Sequence, residues 1–238
     1  MTDTSTPAET ASPEPVVVEF PLRGEWIAVT TPARRIPSHG TDMLGQRYAY
    51  DFVRTDPDRK GTYFFKAGGL HYLLAGVRLE DCYGWGQPIH SPVAGTVVQA
   101  EDGWPERRRV HFVRDVGLAL KNGLTFNPKR LTDLRPLAGN HIIVETDAGY
   151  AFFAHARTGS VRVSKGDTVE PGDHLADVGH SGNSTAPHLH FHVMDRLDVL
   201  TAQGIPCCFR EYEVLSDGVW TQMQNGIPKH TERIRSVV

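Results

Sequence analysis

In the stretch PHLHFHV, His188, His190 and His192 alternate with Leu189, Phe191 and Val193. Alternate residues of a β-strand share a face, so the three imidazoles would line one side and the apolar residues the other. Core packing explains the apolar side. It explains the imidazole side poorly. Neutral imidazole is the commonest metal ligand and the usual acid–base group near pH 7. Metal ligation and proton transfer therefore compete with the plain reading of a half-exposed polar face.

Other residues could join that chemistry. His39 stands in SHGTD with Asp42 close behind, and Asp51 lies inside the aromatic run YAYDF. An aspartate among Tyr48, Tyr50 and Phe52 is costly to bury unpaired. Either a cation or hydrogen-bond donors accompany it, or it sits at a strand edge in water. His155 ends the apolar run YAFFAHA, where a solvated strand end is the plain alternative. His141 opens the partner strand and could face the same side. Of the 12 histidines, His71, His90, His111, His174, His180 and His230 have no supporting context.

The elements that must hold these residues are short. RYAYDFVR alternates and predicts a strand from about Tyr48 to Val53. NHIIVETDAGYAFFAHA predicts a hairpin turning at TDAG, and PHLHFHVMD predicts one more strand. Around PVAGTVVQA a turn precedes a strand, and GIPCCFREYEVL predicts another, with the last residues peripheral. Residues 54–86 are mixed. Residues 103–139, with the run ERRRVHFVR, read as an excursion from the core, partly helical, whose arginines form a solvated face. The class expected is all-β, with loop excursions.

Composition narrows the rest. The 238 residues suit one domain with appendages, and a net charge of −3 argues against nucleic-acid binding or membrane attraction by bulk charge. No apolar run is long enough to span a membrane. Residues 1–15 are rich in Thr, Ser, Pro and Glu, which predicts a disordered tail ahead of a single unit over 16–238. They lack the basic and apolar regions of a signal peptide. Cys82, Cys207 and Cys208 are odd in number and form no CxxC pair, which suggests a reducing compartment and no thiolate zinc site.

Taken in order, His39, Asp51, YAFFAHA and GHSGNSTAPHLHFHV resemble the lysostaphin-type (LytM-like) zinc metalloendopeptidases. The likeness is most specific from Asn140 to Asp195, and PVAGTVV at 92–98 resembles the family's first core strand. It implies antiparallel sheets of the barrel-sandwich, or duplicated hybrid, type, with a core over about 88–200 and the first metal motif at 39–51. It implies one zinc ion on His39, Asp51 and His190, with His155 and His188 as catalytic groups beside it. Family members commonly write the first motif HxxxD, whereas eleven residues separate His39 from Asp51 here. Asp42 is the nearer alternative. Asp51 is preferred because a strand holds a ligand more rigidly than a loop.

The implied reaction is hydrolysis of a peptide bond, in peptidoglycan stems or cross-bridges, within a groove bordered by residues 31–47, 103–139 and 156–160. His192 matches no role. An inactive member that only binds cell-wall peptide or a protein partner would be expected to lack one of the five residues, and all are present. A different zinc hydrolase shares the metal logic. SKGDTVEPGD also echoes biotinyl- and lipoyl-type carrier hairpins, but Lys165 is not at such a tip. Family members usually act outside the membrane, which sits uneasily with the absent export signal.

Overall fold

The computed structural model describes residues 14–56, 58, 63–66 and 68–237. The tail expected over 1–15 therefore falls almost wholly outside the described residues.

Among the described residues, twelve strands form one large sheet. Along it run Val16–Val18, Cys207–Ser216, Arg233–Arg235, Glu25–Thr30, Tyr50–Val53, Leu189–Met194, Gly149–Ala156, Asn140–Thr146, Gly95–Glu101 and Thr168–Val169. Gly204–Ile205 and Val219–Gly226 pair off this path. Among the named strand pairs of this sheet, all are antiparallel except Val16–Val18 beside Cys207–Ser216. The fold is mostly β, as expected.

Alternation divides the central strands between two faces. Phe191 and Leu189 join Tyr50, Phe52, Phe153 and Phe209 in the main core. The small sheet of Pro88–His90 with His174–Asp177 adds Ile89 and Leu175 to that core, which hydrophobic burial holds together. Opposite residues, including Phe152, Ala154 and Met194, turn the other way into a smaller cluster.

One expectation changes and one is met. The last residues are not peripheral: Arg233–Arg235 pairs with both Glu25–Thr30 and Cys207–Ser216, and Ile234 is fully buried. The excursion contains the helix Phe112–Thr125 and the short helix Arg135–Ala138, and a further helix, Gly69–Ala75, lies in the mixed region before it.

Candidate metal centre and active-site cleft

The centre of the sheet brings Asp51 and His190 together. Tyr50–Val53 and Leu189–Met194 pair so that His190 stands directly opposite Asp51. Tyr50 and Phe52 point into the core, which leaves Asp51 on the other face with His188, His190 and His192. His39 arrives from the preceding loop. Its Nε2 lies 2.9 Å from Asp51 Oδ2, and His190 Nδ1 lies 2.9 Å from Asp51 Oδ1. His188 Nε2 is 3.5 Å from the same Oδ1. Burial opposes ionisation of Asp51, but His39, His188 and His190 outweigh it and hold the carboxyl well below the usual carboxylate range.

The donor set fits a divalent cation. One ligand atom each from His39, Asp51 and His190 lies within 4.8 Å of the others. Two imidazoles and one carboxylate, with room for a further ligand, are chemistry suited to catalytic zinc. A carboxylate only accepts hydrogen bonds, so both facing nitrogens carry protons that a cation would displace.

Asp42 is placed differently. It is exposed, and its Oδ1 accepts from Arg47 Nη1 at 2.5 Å. Asp51→Asn should therefore abolish stoichiometric zinc retention, while Asp42→Asn leaves it intact. Metal content of the dialysed proteins checks this, and loss of zinc from the Asp42 variant would reverse the choice.

His155 reaches the same face by a different route. Pairing of Asn140–Thr146 with Gly149–Ala156 shifts register between Asn140 and Ile142, so that Ala154 and His155 bulge opposite His141. His155 adopts φ +64, a left-handed conformation that a non-glycine residue holds only when its surroundings impose it. Phe152 and Ala154 face the cleft by simple alternation, and the bulge adds His155 to them. Its Nδ1 donates to Ser181 O at 3.0 Å, and His188 Nδ1 donates to Ala186 O at 2.7 Å. Backbone carbonyls thus fix both tautomers, so that in each neutral ring Nε2 is the basic nitrogen. The two rings stand 4.6 Å apart.

His192, which matches no role by resemblance, adjoins this centre. It is buried, stacks on Phe152, and its Nδ1 is 3.1 Å from His190 Nε2. His141 also stacks on Phe152, but it borders a separate small cavity with Gln99 and Glu101.

A cleft of about 440 Å³ opens over these residues. Thr41 to Gln46 contribute one side, and Asn122, Phe126 and Leu137 of the excursion contribute another. Residues 31–47 and 103–139 border it as expected, but 156–160 do not. That turn is pulled elsewhere: Gly159 N donates to Asp102 Oδ1 at 2.8 Å and Thr158 Oγ1 to Trp104 O at 2.6 Å. Residues Asn183, Thr185 and Val199 line the cleft instead.

The turn carrying His188 rests on a buried polar network that sequence reasoning missed. Arg107 is half-buried rather than part of a solvated face. Its Nη1 donates to Gly182 O at 2.8 Å and its Nη2 to Ser184 O at 2.6 Å and His180 Nε2 at 3.1 Å. Its Nε pairs with the fully buried Asp115 at 3.0 Å. His180 Nδ1 donates to Ser184 Oγ at 3.0 Å, and that hydroxyl donates to Ala186 O at 2.6 Å. At Gly182, φ is +64 and a Cβ would stand 2.3 Å from Gly139 N, so only glycine seats the turn here.

Comparison with known proteins now adds to this geometry. Residues 118–201 match the model of peptidase family M23. The match spans 84 of the 238 residues. It carries His155, His188 and His190, whereas His39 and Asp51 lie outside the match and enter by geometry. Over 61 residues the chain is 36% identical to the peptidoglycan DD-endopeptidase ShyB of Vibrio cholerae. That stretch is 26% of this chain and 14% of ShyB.

Two solved M23 structures cover more of the chain. A variant catalytic domain of the prophage-encoded M23 protein EnpA from Enterococcus faecalis has 16% identity and a TM-score of 0.40, over 76% of this chain and 88% of that one. The catalytic domain of the antimicrobial peptidase lysostaphin from Staphylococcus simulans has 19% identity and a TM-score of 0.37, over the same shares.

Proposed function

We propose that the protein is a zinc-dependent endopeptidase that hydrolyses peptide bonds in peptidoglycan stems or cross-bridges. The observation that carries this reading is the convergence of His39, Asp51 and His190 beside His155 and His188 on one cleft. The M23 match and the likeness to a peptidoglycan endopeptidase support the substrate class.

His39, Asp51 and His190 would hold the zinc, which supplies acidification of the attacking water and polarisation of the scissile carbonyl. The chain's own residues do the rest. Phe126, Leu137 and Phe152 give the cleft apolar walls that exclude water, while Asn183 and Thr185 offer polar groups to a peptide backbone. His155 and His188 form an acid–base pair. One removes the water proton through Nε2 and returns it to the leaving amine, while the other, protonated, hydrogen-bonds to the oxyanion. Their backbone-fixed tautomers keep the basic nitrogens in place.

The test is digestion of purified sacculi, read by mass spectrometry of released peptides. New amine termini should appear with the zinc-loaded protein and vanish with a chelator. Stoichiometric zinc without any cleavage of sacculi or cross-linked peptides would sink the hydrolase reading.

A further inference from the structure

The helix Phe112–Thr125 is inside out for a surface helix. A helix normally turns its apolar stripe to the core and its charges to water. Here the fully buried residue is Asp115, tied to Arg107 and Arg114. Val113, Leu120 and Leu124, spaced i, i+7 and i+11 along one face, are 63%, 62% and 87% exposed. The neighbouring helix Gly69–Ala75 repeats the pattern. Leu70 and Leu74 are both 71% exposed, and Tyr72 of that helix meets Phe112 of the other at 6.2 Å between ring centroids. Two touching helices thus present leucines to solvent.

Charge is segregated at the same place. Residues 107–130 hold seven Lys and Arg and one Asp, a net +6. The rest of the chain holds 18 basic and 27 acidic residues, a net −9. The overall −3 conceals this division. Arg108, Arg109, Arg114, Lys121, Lys129 and Arg130 are all exposed, and the single acid, Asp115, is buried. Arg114 and Lys121 both lie along one side of the apolar stripe, about a quarter turn from it.

We infer that this two-helix face docks on an anionic lipid bilayer. Exposed leucines flanked by basic residues are the composition of an interfacial helix, whose apolar side enters the headgroup boundary while cations stay at the surface. A second copy of the chain is a poorer occupant, because two faces of net +6 repel each other. An anionic polymer satisfies the cations but leaves the leucines in water. Among the described residues no helix is long and apolar enough to cross a membrane. The far end of the same helix supplies Asn122 and Gly123 to the cleft wall. Docking would therefore set the cleft beside the membrane surface. The inference stands apart from hydrolysis and is tested without it.

Full-length protein should co-sediment with vesicles of equimolar phosphatidylglycerol and phosphatidylcholine, and at least about tenfold less with phosphatidylcholine alone. Leu120→Ser with Leu124→Ser should weaken sedimentation by roughly tenfold or more. Lys121→Ala should weaken it about fivefold, and higher salt should reduce it further. All three residues are exposed, so unchanged circular dichroism and melting serve as the folding control. Absence of vesicle binding, or binding that ignores the leucine pair, would overturn the inference. So would concentration-dependent dimers by light scattering that the leucine pair abolishes, which would assign the face to a second copy. Binding that follows salt and Lys121 but not the leucines would assign it to a polyanion and equally overturn it.

Discussion

Replacing His190 by Ala is expected to abolish zinc retention and peptide hydrolysis together, whereas His155→Ala abolishes hydrolysis alone. His190 Nδ1 lies 2.9 Å from Asp51 Oδ1, inside the set that fits a cation. Removing that imidazole leaves one histidine and one carboxylate. Two ligands do not hold zinc against dialysis, because a catalytic site needs three from the protein.

His155 stands differently. Its ring centroid is 6.0 Å from that of His190, and its Nδ1 is committed to Ser181 O. Truncation removes a proton-transfer group and spares the ligand set. The expected loss is about 10²- to 10⁴-fold in kcat/KM at near-stoichiometric zinc. Elemental analysis of both variants, beside peptide-release assays, separates the two cases. A His155→Ala protein without zinc would falsify the division of roles.

The central face of the site was legible because β-strand alternation is rigid. PHLHFHV and YAYDF each put their apolar residues on one side, so the register of two strands alone joins Asp51 to His190. The contact of His39 with Asp51 was not written in spacing. Eleven residues intervene, and the turn of Met43–Tyr48 folds them back. His155 was legible by type but not by direction, because strand alternation alone would point it to the wrong face and a bulge corrects it. Alternation puts His192 on the right face but says nothing of its contact with His190.

The supports of the site were illegible for another reason. Arg107 belongs to an ERRR run that resembles any solvated surface, and His180 stands in a glycine-rich turn. Their contact joins residues 73 apart in sequence. No local period encodes such a pair. The same holds for the bilayer-facing leucines: FVRDVGLALKNGL is an ordinary amphipathic pattern, and which side faces inward is decided by where Asp115 finds its cations.

Arg107→Ala is expected to destabilise the fold by about 3 kcal/mol, the low end of the range for removing one partner of an ion pair whose other member is buried. The loss has several sources that act together. Asp115 is fully buried, and without Arg107 it keeps Arg114, His180 and the His111 N–H as partners. The carbonyls of Gly182 and Ser184 and the Nε2 of His180 lose their donor. A buried acceptor left unpaired costs its full desolvation. Urea unfolding should show a lower midpoint at unchanged slope, since the surface exposed on unfolding is nearly the same. The effect also reaches the chemistry. Ser184 holds the turn before His188 through Ala186 O, so a loosened turn frees the His188 ring. Folded Arg107→Ala protein should therefore retain zinc and lose activity in kcat. Combining it with Asp115→Leu should cost clearly less than the two single changes added, because each then removes the other's stranded partner. Strict additivity would mean that Arg107 and Asp115 act independently, and that no connected network supports the His188 turn.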